Sequence, residues 1–181
     1  MNNKKTKVLM LFGTRPEAIK MAPVLLELRK NPDDFIVATC LTGQHRLMLD
    51  QVMEFFNLTA EYDLNLMKPN QSLTGLTSDI LVNLSPVLQE FMPDIVLVHG
   101  DTTTSFAGAL ASFYFGCKVG HVEAGLRTYL KKAPYPEEIN RQLTARITDV
   151  HFAPTPKAAE NLRNEKLLEA DILVTGNTVI D

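Results

Sequence analysis

Short, unbroken apolar runs alternate with helical periodicities along this chain, and that alternation limits the folds open to it. Lys7 to Phe12 (KVLMLF) is apolar on both faces of any strand and stops at Gly13. A strand that reads this way is covered on both sides, as in a parallel sheet flanked by helices. Runs of the same kind are Ile36 to Leu41, Ile95 to His99, Val119 to Val122, Val150 to Ala153 and Ile172 to Thr175. Between them lie stretches with helical spacing. The clearest carries Leu73, Leu76, Ile80, Leu84, Val87 and Phe91 in steps of three and four. Others cover about Arg15 to Lys30, Arg46 to Phe56, Thr104 to Phe115, Glu137 to Ile147 and Pro156 to Glu165. Pro23 and Pro86 fall inside two of these, which predicts kinks or early breaks there.

Strand–helix alternation implies βαβ units with right-handed crossovers. The expected fold is therefore α/β, a Rossmann-like doubly wound parallel sheet of about seven strands. At 181 residues, 45% hydrophobic and net charge −3, the chain has the composition of one folded domain and lacks the basic excess of a nucleic-acid binder. Its apolar runs fall far short of the ~20 residues of a membrane span. Met1 to Lys7 is polar and does not read as a secretory signal. Cys40 and Cys117 each border an apolar run and read as reduced core residues, so a cytoplasmic setting is expected.

Ligands of such folds bind beyond the carboxyl ends of the strands, and four such ends carry polar chemistry. Gly13-Thr14-Arg15-Pro16-Glu17 has capping-box spacing, with Pro16 suited to a first helical turn. A helix N-terminus there would face an anion, with Arg15 and, one turn further in, Lys20 adding charge. Glu17 itself reads as a cap. Neither a Walker loop nor a dinucleotide glycine fingerprint is present. The second end is His99-Gly100-Asp101-Thr102, where Asp101 could cap the next helix; the third is His121-Val122-Glu123, where no helix follows at once. His99 shares strand parity with Asp101, and His121 with Glu123, so the two pairs could converge. The fourth is Pro134 to Arg141, in which Glu137 and Arg141 have i,i+4 spacing. These residues leave two chemistries open. One is carboxylate acid–base work by Asp101, Glu123 and Glu137 on an anionic ligand. The other is a metal site built from His99, Asp101, His121 and Glu123.

Six motifs occur in order: FGTRPEAIKMAPV (Phe12 to Val24), TGQH (Thr42 to His45), VHGDTTT (Val98 to Thr104), GHVEAGLRT (Gly120 to Thr128), PYPEEINRQLT (Pro134 to Thr144) and TGNTVID (Thr175 to Asp181). With them the chain resembles the N-terminal half of the non-hydrolysing UDP-N-acetylglucosamine 2-epimerases. The resemblance implies a GT-B-type pair of Rossmann-like domains across a cleft. Residues 1–175 would form the N-terminal domain and 176–181 the start of the hinge, with the second domain absent from this chain. It implies interconversion of UDP-N-acetylglucosamine and UDP-N-acetylmannosamine by loss and re-addition of UDP through 2-acetamidoglucal, with no metal or nicotinamide. By motif, Asp101, Glu123 and Glu137 match the catalytic acids. Arg15 and Lys20 match residues facing the nucleotide-sugar, and His99, His121 and Arg141 belong to the wall around it. Gln44, His45 and Glu137 match contacts to a second, activating UDP-N-acetylglucosamine. Leu47 and Asn70 depart from the commonest residues there, and both departures remove hydrogen-bonding capacity. The resemblance further implies a homodimer, and little or no turnover by a chain that carries half of the site. A glycosyltransferase-type domain and a non-catalytic binding domain are the alternatives.

Overall fold

The computed structural model describes residues 4–43, 46–66, 68 and 70–180. The strands are β1 (Thr6–Phe12), β2 (Phe35–Leu41), β3 (Tyr62–Asp63), β4 (Ile95–His99), β5 (Lys118–Val122), β6 (Val150–Ala153) and β7 (Ile172–Val174). The helices are α1 (Arg15–Arg29), α2 (Arg46–Phe55), α3 (Leu73–Phe91), α4 (Thr103–Phe115), α5 (Glu137–Arg146) and α6 (Pro156–Asn164). The seven strands form one parallel sheet in the order β3-β2-β1-β4-β5-β6-β7. This is the expected doubly wound α/β fold. The short strand β3 has no apolar run of its own and could not be read from periodicity.

Alternate side chains of β1 build the two halves of the core. Val8, Met10 and Phe12 pack on Ala18, Met21, Ala22 and Leu25 of α1 and on Leu49, Val52 and Met53 of α2. Leu9 and Leu11 join Leu84, Val87 and Leu88 of α3 and Ala109 and Ala111 of α4. Both faces of β1 are thus buried, which is why its sequence is apolar throughout.

The helices begin where capping chemistry lets them. Thr14 and Glu17 form a reciprocal capping box at α1, and Ser72, Thr102 and Thr155 accept backbone N–H bonds at the starts of α3, α4 and α6. α4 closes on Gly116 at φ +89, in the left-handed region that glycine enters without cost. The early breaks expected at Pro23 and Pro86 do not occur, for α1 and α3 run through them. Buried residues flank each proline, Met21, Ala22 and Leu25 in α1 and Leu84, Val87 and Leu88 in α3. Burial of that stripe outweighs the one backbone hydrogen bond that proline removes.

The strand order reverses between β1 and β4, so the crevice beyond their carboxyl ends is the ligand position that this topology creates. Gly13 sits in that crevice. A Cβ there would lie 1.8 Å from Thr42 Oγ1 and 2.9 Å from Thr104 Oγ1, so only glycine fits where the ends of β1 and β2 meet α4.

Candidate active site

Residues from five elements meet beyond the carboxyl ends of β1, β4 and β5. Asp101 follows β4, and Thr102 caps α4 in its place, so the Asp101 side chain is not spent on a helix end. Its Oδ2 accepts a hydrogen bond of 3.1 Å from Arg141 of α5, and its carbonyl accepts one of 2.9 Å from Asn140. Burial pushes the Asp101 carboxyl above its ordinary range. Arg141 and Lys20 oppose that shift, while the charges of Glu137 and Glu123 add to it. Asp101 thus lies close enough to feel the charges of both other carboxylates.

Glu123 follows β5 directly, with φ +63. A non-glycine residue in this region carries strain of about 1 kcal/mol or more, which the surrounding contacts must offset. Its Oε2 is gripped by the Lys20 ammonium, lies 3.4 Å from Asn177 Nδ2 and 3.8 Å from His99 Nε2. The His99 ring is buried, and desolvation with the nearby Lys20 charge pushes its pKa down to about 3, so it is neutral. Nε2 of His99 has no hydrogen-bond partner among the described residues.

His121, also pushed down to about 3 by burial, makes a 2.6 Å hydrogen bond through Nε2 to the Gly100 carbonyl. The carbonyl can only accept, so Nε2 carries the proton. His121 therefore steadies the turn that carries Asp101. The two strand-end pairs do converge, as their parity predicted, with neutral histidines beside carboxylates that pair with Lys20 and Arg141. Among the described residues no three His, Cys, Asp or Glu side chains are placed to hold a metal ion.

Glu137 opens α5, and its Oε2 is buried without a hydrogen-bond partner among the described residues. The expected i,i+4 pair with Arg141 is not made. Arg141 turns instead to Glu138 through Nε and Nη2 and to Asp101 through Nη1. The reason is burial. Glu138 is fully enclosed and also accepts the Thr128 and Tyr129 amides and Gln142. Burial alone would raise its pKa, but these hydrogen bonds outweigh that and hold it at about 2. A fixed anion of this kind draws the guanidinium and leaves Glu137 free. Glu137 lines a cleft of about 360 Å³ with Thr14, Pro16, Thr102, Thr103 and Asn140.

Arg15 stands apart from this group. It is exposed on the first turn of α1 and lines a second cleft with Ile19, Gln51, Val52 and Phe55. Gln44 and His45 lie outside the described residues, as does the Leu47 side chain; Asn70 is exposed at φ +55. A larger cleft, about 730 Å³, runs along α1 past Ile19, Pro23, Phe56 and Val179. Of the charged residues lining it, Glu27 and Lys30 pair with each other, so it gathers no catalytic chemistry.

Residue-by-residue reading missed Asn140, Asn177, Glu138 and Ser105. Each lies within or beside a quoted motif, but singly they read as helix surface or cap. Glu17 was read as a cap, and it is one. Its second oxygen also accepts the Thr102 hydroxyl.

A sequence model of the family described as UDP-N-acetylglucosamine 2-epimerase matches residues 26–181. Among curated proteins, the UDP-N-acetylglucosamine 2-epimerase of Neisseria meningitidis serogroup A is 57% identical over 175 residues, 97% of this chain and 47% of that protein. A crystal structure of UDP-GlcNAc 2-epimerase from Neisseria meningitidis bound to UDP-GlcNAc superposes with a TM-score of 0.94 at 56% identity, covering 97% of this chain and 47% of that one. The Acinetobacter baumannii MurG structure matches with a TM-score of 0.61 at 14% identity, over 85% of this chain and 42% of that one, a likeness of fold alone. The chain spans about half the length of the curated relatives it matches.

Proposed function

This chain belongs to the UDP-N-acetylglucosamine 2-epimerase family, and from that premise we propose that it supplies the carboxylate half of a site that interconverts UDP-N-acetylglucosamine and UDP-N-acetylmannosamine. The observation that carries the proposal is the gathering of Asp101, Glu123 and Glu137 at the switch-point crevice, with Lys20 and Arg141 as their cations.

The sugar C2–H is a weak acid, so a carboxylate must sit within hydrogen-bond reach of it. One of the three takes that proton, and the C1–O bond breaks toward UDP. Charge then grows on the diphosphate oxygen. Lys20, and Arg15 at the first turn of α1, are the cations of this half suited to meet it, aided by the α1 N-terminus. UDP returns to C1 of the 2-acetamidoglucal while a carboxylate on the other side delivers a proton to the opposite face of C2. Three carboxylates held in different environments can divide these roles: Asp101 is raised by burial, and Glu123 is paired with Lys20.

Residues 1–175 are taken as the Rossmann-like domain and 176–181 as the first residues of the hinge. A second domain across the cleft would supply the rest of the uridine and diphosphate site, so the chain alone is expected to turn over slowly or not at all. A homodimer is expected from the same family resemblance, and Val82, Phe113 and Tyr114 on α3 and α4 are exposed apolar side chains open to such a contact. A nucleotide-sugar substrate and free thiols at Cys40 and Cys117 fit a cytoplasmic setting. No helix of the described residues is long and apolar enough to cross a membrane.

The test is proton NMR of UDP-N-acetylglucosamine in D₂O, with this chain and with the chain extended past Asp181. Loss of the C2 proton signal with a manno product supports the proposal. Binding without exchange in either form would leave a nucleotide-sugar-binding domain instead.

A further inference from the structure

We propose that Glu17 is a positioning residue of the site, a buried carboxylate that locks the Asp101 turn to the helix carrying Lys20; this rests on the epimerase reading above. Glu17 is 1% exposed. Its Oε2 accepts the Gly13 amide at 2.9 Å, the Thr14 amide at 2.8 Å and the Thr14 hydroxyl at 2.8 Å. Those contacts complete the α1 cap. A cap requires nothing of the other oxygen, and at an ordinary helix start it would face solvent. Here Oε1 leaves α1 and accepts the Thr102 hydroxyl at 2.6 Å, 85 positions along the chain. Ser105 Oγ lies 3.2 Å from the same oxygen and also bonds the His99 carbonyl.

One carboxylate therefore joins the caps of α1 and α4 across the switch point between β1 and β4. The Gly13 and Thr14 amides and the Thr14 and Thr102 hydroxyls all donate to it, and no cation pairs with Glu17 among the described residues. Burial raises its pKa while the bonds from Thr102, Gly13 and Thr14 oppose that shift. Such a group is retained at a cost in desolvation. The geometry shows what it secures. Three consecutive residues are held by three different elements: Gly100 by His121 of β5, Asp101 by Asn140 of α5, and Thr102 by Glu17 of α1. Lys20 lies one turn beyond Glu17 on the same helix and grips Glu123. His121 ties this turn to the strand before Glu123, and Glu17 is the link that ties it to the helix carrying Lys20.

The test uses whichever form turns over, this chain alone or extended past Asp181. Glu17→Met keeps the side chain's length and removes both acceptors. Thr102→Val cuts only the link to the β4 turn and the local α4 cap. Glu17→Gln keeps an acceptor for the Gly13 and Thr14 amides and an amide for the Thr102 hydroxyl. The expected result is a ten- to hundredfold loss of kcat, about what displacement of a reacting group costs, in Glu17→Met and Thr102→Val, with KM within about threefold. Glu17→Gln restores most of the rate, and the Met/Val double variant is no slower than Glu17→Met. Unchanged kcat in Thr102→Val, additive losses, or equal losses in the Gln and Met variants would overturn the proposal. If no form turns over, the epimerase reading fails separately. Amide exchange then decides whether residues 99–104 lose protection in Thr102→Val as a lock demands.

Discussion

The ammonium of Lys20 in α1 rests on the carboxylate of Glu123 after β5, joining positions 103 residues apart in the chain. Both side chains are mostly buried, so each is the other's main compensation for lost water. Among the described residues, replacing Lys20 with Met leaves Glu123 with the long Asn177 contact and the neutral His99 ring 3.8 Å away. That variant should lose about 1–3 kcal/mol of stability by urea unfolding, together with most of its turnover. A neutral effect on both would show the pair to be incidental.

Gly13 is constrained by space, since a Cβ there meets Thr42 Oγ1 at 1.8 Å. Gly13→Ala should cost about 1–3 kcal/mol, the range for overpacking a tight site. Thr42→Ala in the same chain should recover part of it. Thermal melts of the single and double variants read this directly, and a Gly13→Ala melt at the wild-type temperature would contradict it.

His99 and His121 are held neutral to about pH 3, and His151 to about pH 4, chiefly by burial. Unfolding lets each take up a proton below its ordinary 6.5, so the unfolded state binds more protons between about pH 6.5 and those lower values. Stability contributed by these groups therefore falls as pH drops through that window. Glu138, held at about 2, adds its own loss only below its ordinary 4.5. The difference in urea midpoint between pH 7.5 and 5.0 should accordingly shrink in His99→Asn and in His121→Asn. An unchanged difference in both would place the acid sensitivity elsewhere.

Arg141 lowers the pKa of Asp101 and bonds its carboxylate. Arg141→Lys keeps a charge but loses the fork that reaches Glu138 and Asp101 together. The limb of the kcat–pH profile governed by Asp101 should move to higher pH, with kcat reduced about tenfold at the optimum. A profile that keeps its shape would detach Arg141 from the chemistry.

Activation by a second UDP-N-acetylglucosamine is expected to survive if the contacts matched at Gln44, His45 and Glu137 suffice without the side chains lost at Leu47 and Asn70. Trace UDP-N-acetylglucosamine should then restore the reverse reaction of the active form. Hyperbolic reverse kinetics without it would count against such a site.

Much of the fold was legible because its signals are local. KVLMLF announced a strand buried on both faces, and Thr14 with Glu17 three residues later announced a helix start. The strand β3 was not legible, since Tyr62 and Asp63 pair with Cys40 and Leu41 only after β2 is in place. No early break occurs at Pro23 or Pro86, because burial of the helix face, which a local rule does not weigh, outweighs one missing hydrogen bond. At the site, strand-end position and parity pointed to Asp101, Glu123, His99 and His121 together.

By itself the sequence determined the alternation of elements, the helix starts and the set of polar residues at the strand ends, because periodicity and capping act within a few residues. The tertiary structure decided which of those residues meet. Arg141 passes over Glu137, its sequence neighbour by helical spacing, for the enclosed Glu138 and for Asp101. Glu17 spends its second oxygen on Thr102, in another helix cap. Those choices follow from burial and from where the fold places α1, α5 and the end of β4. Desolvated charges pair with whatever the packing brings within reach, and that distance is not a property of spacing along the chain.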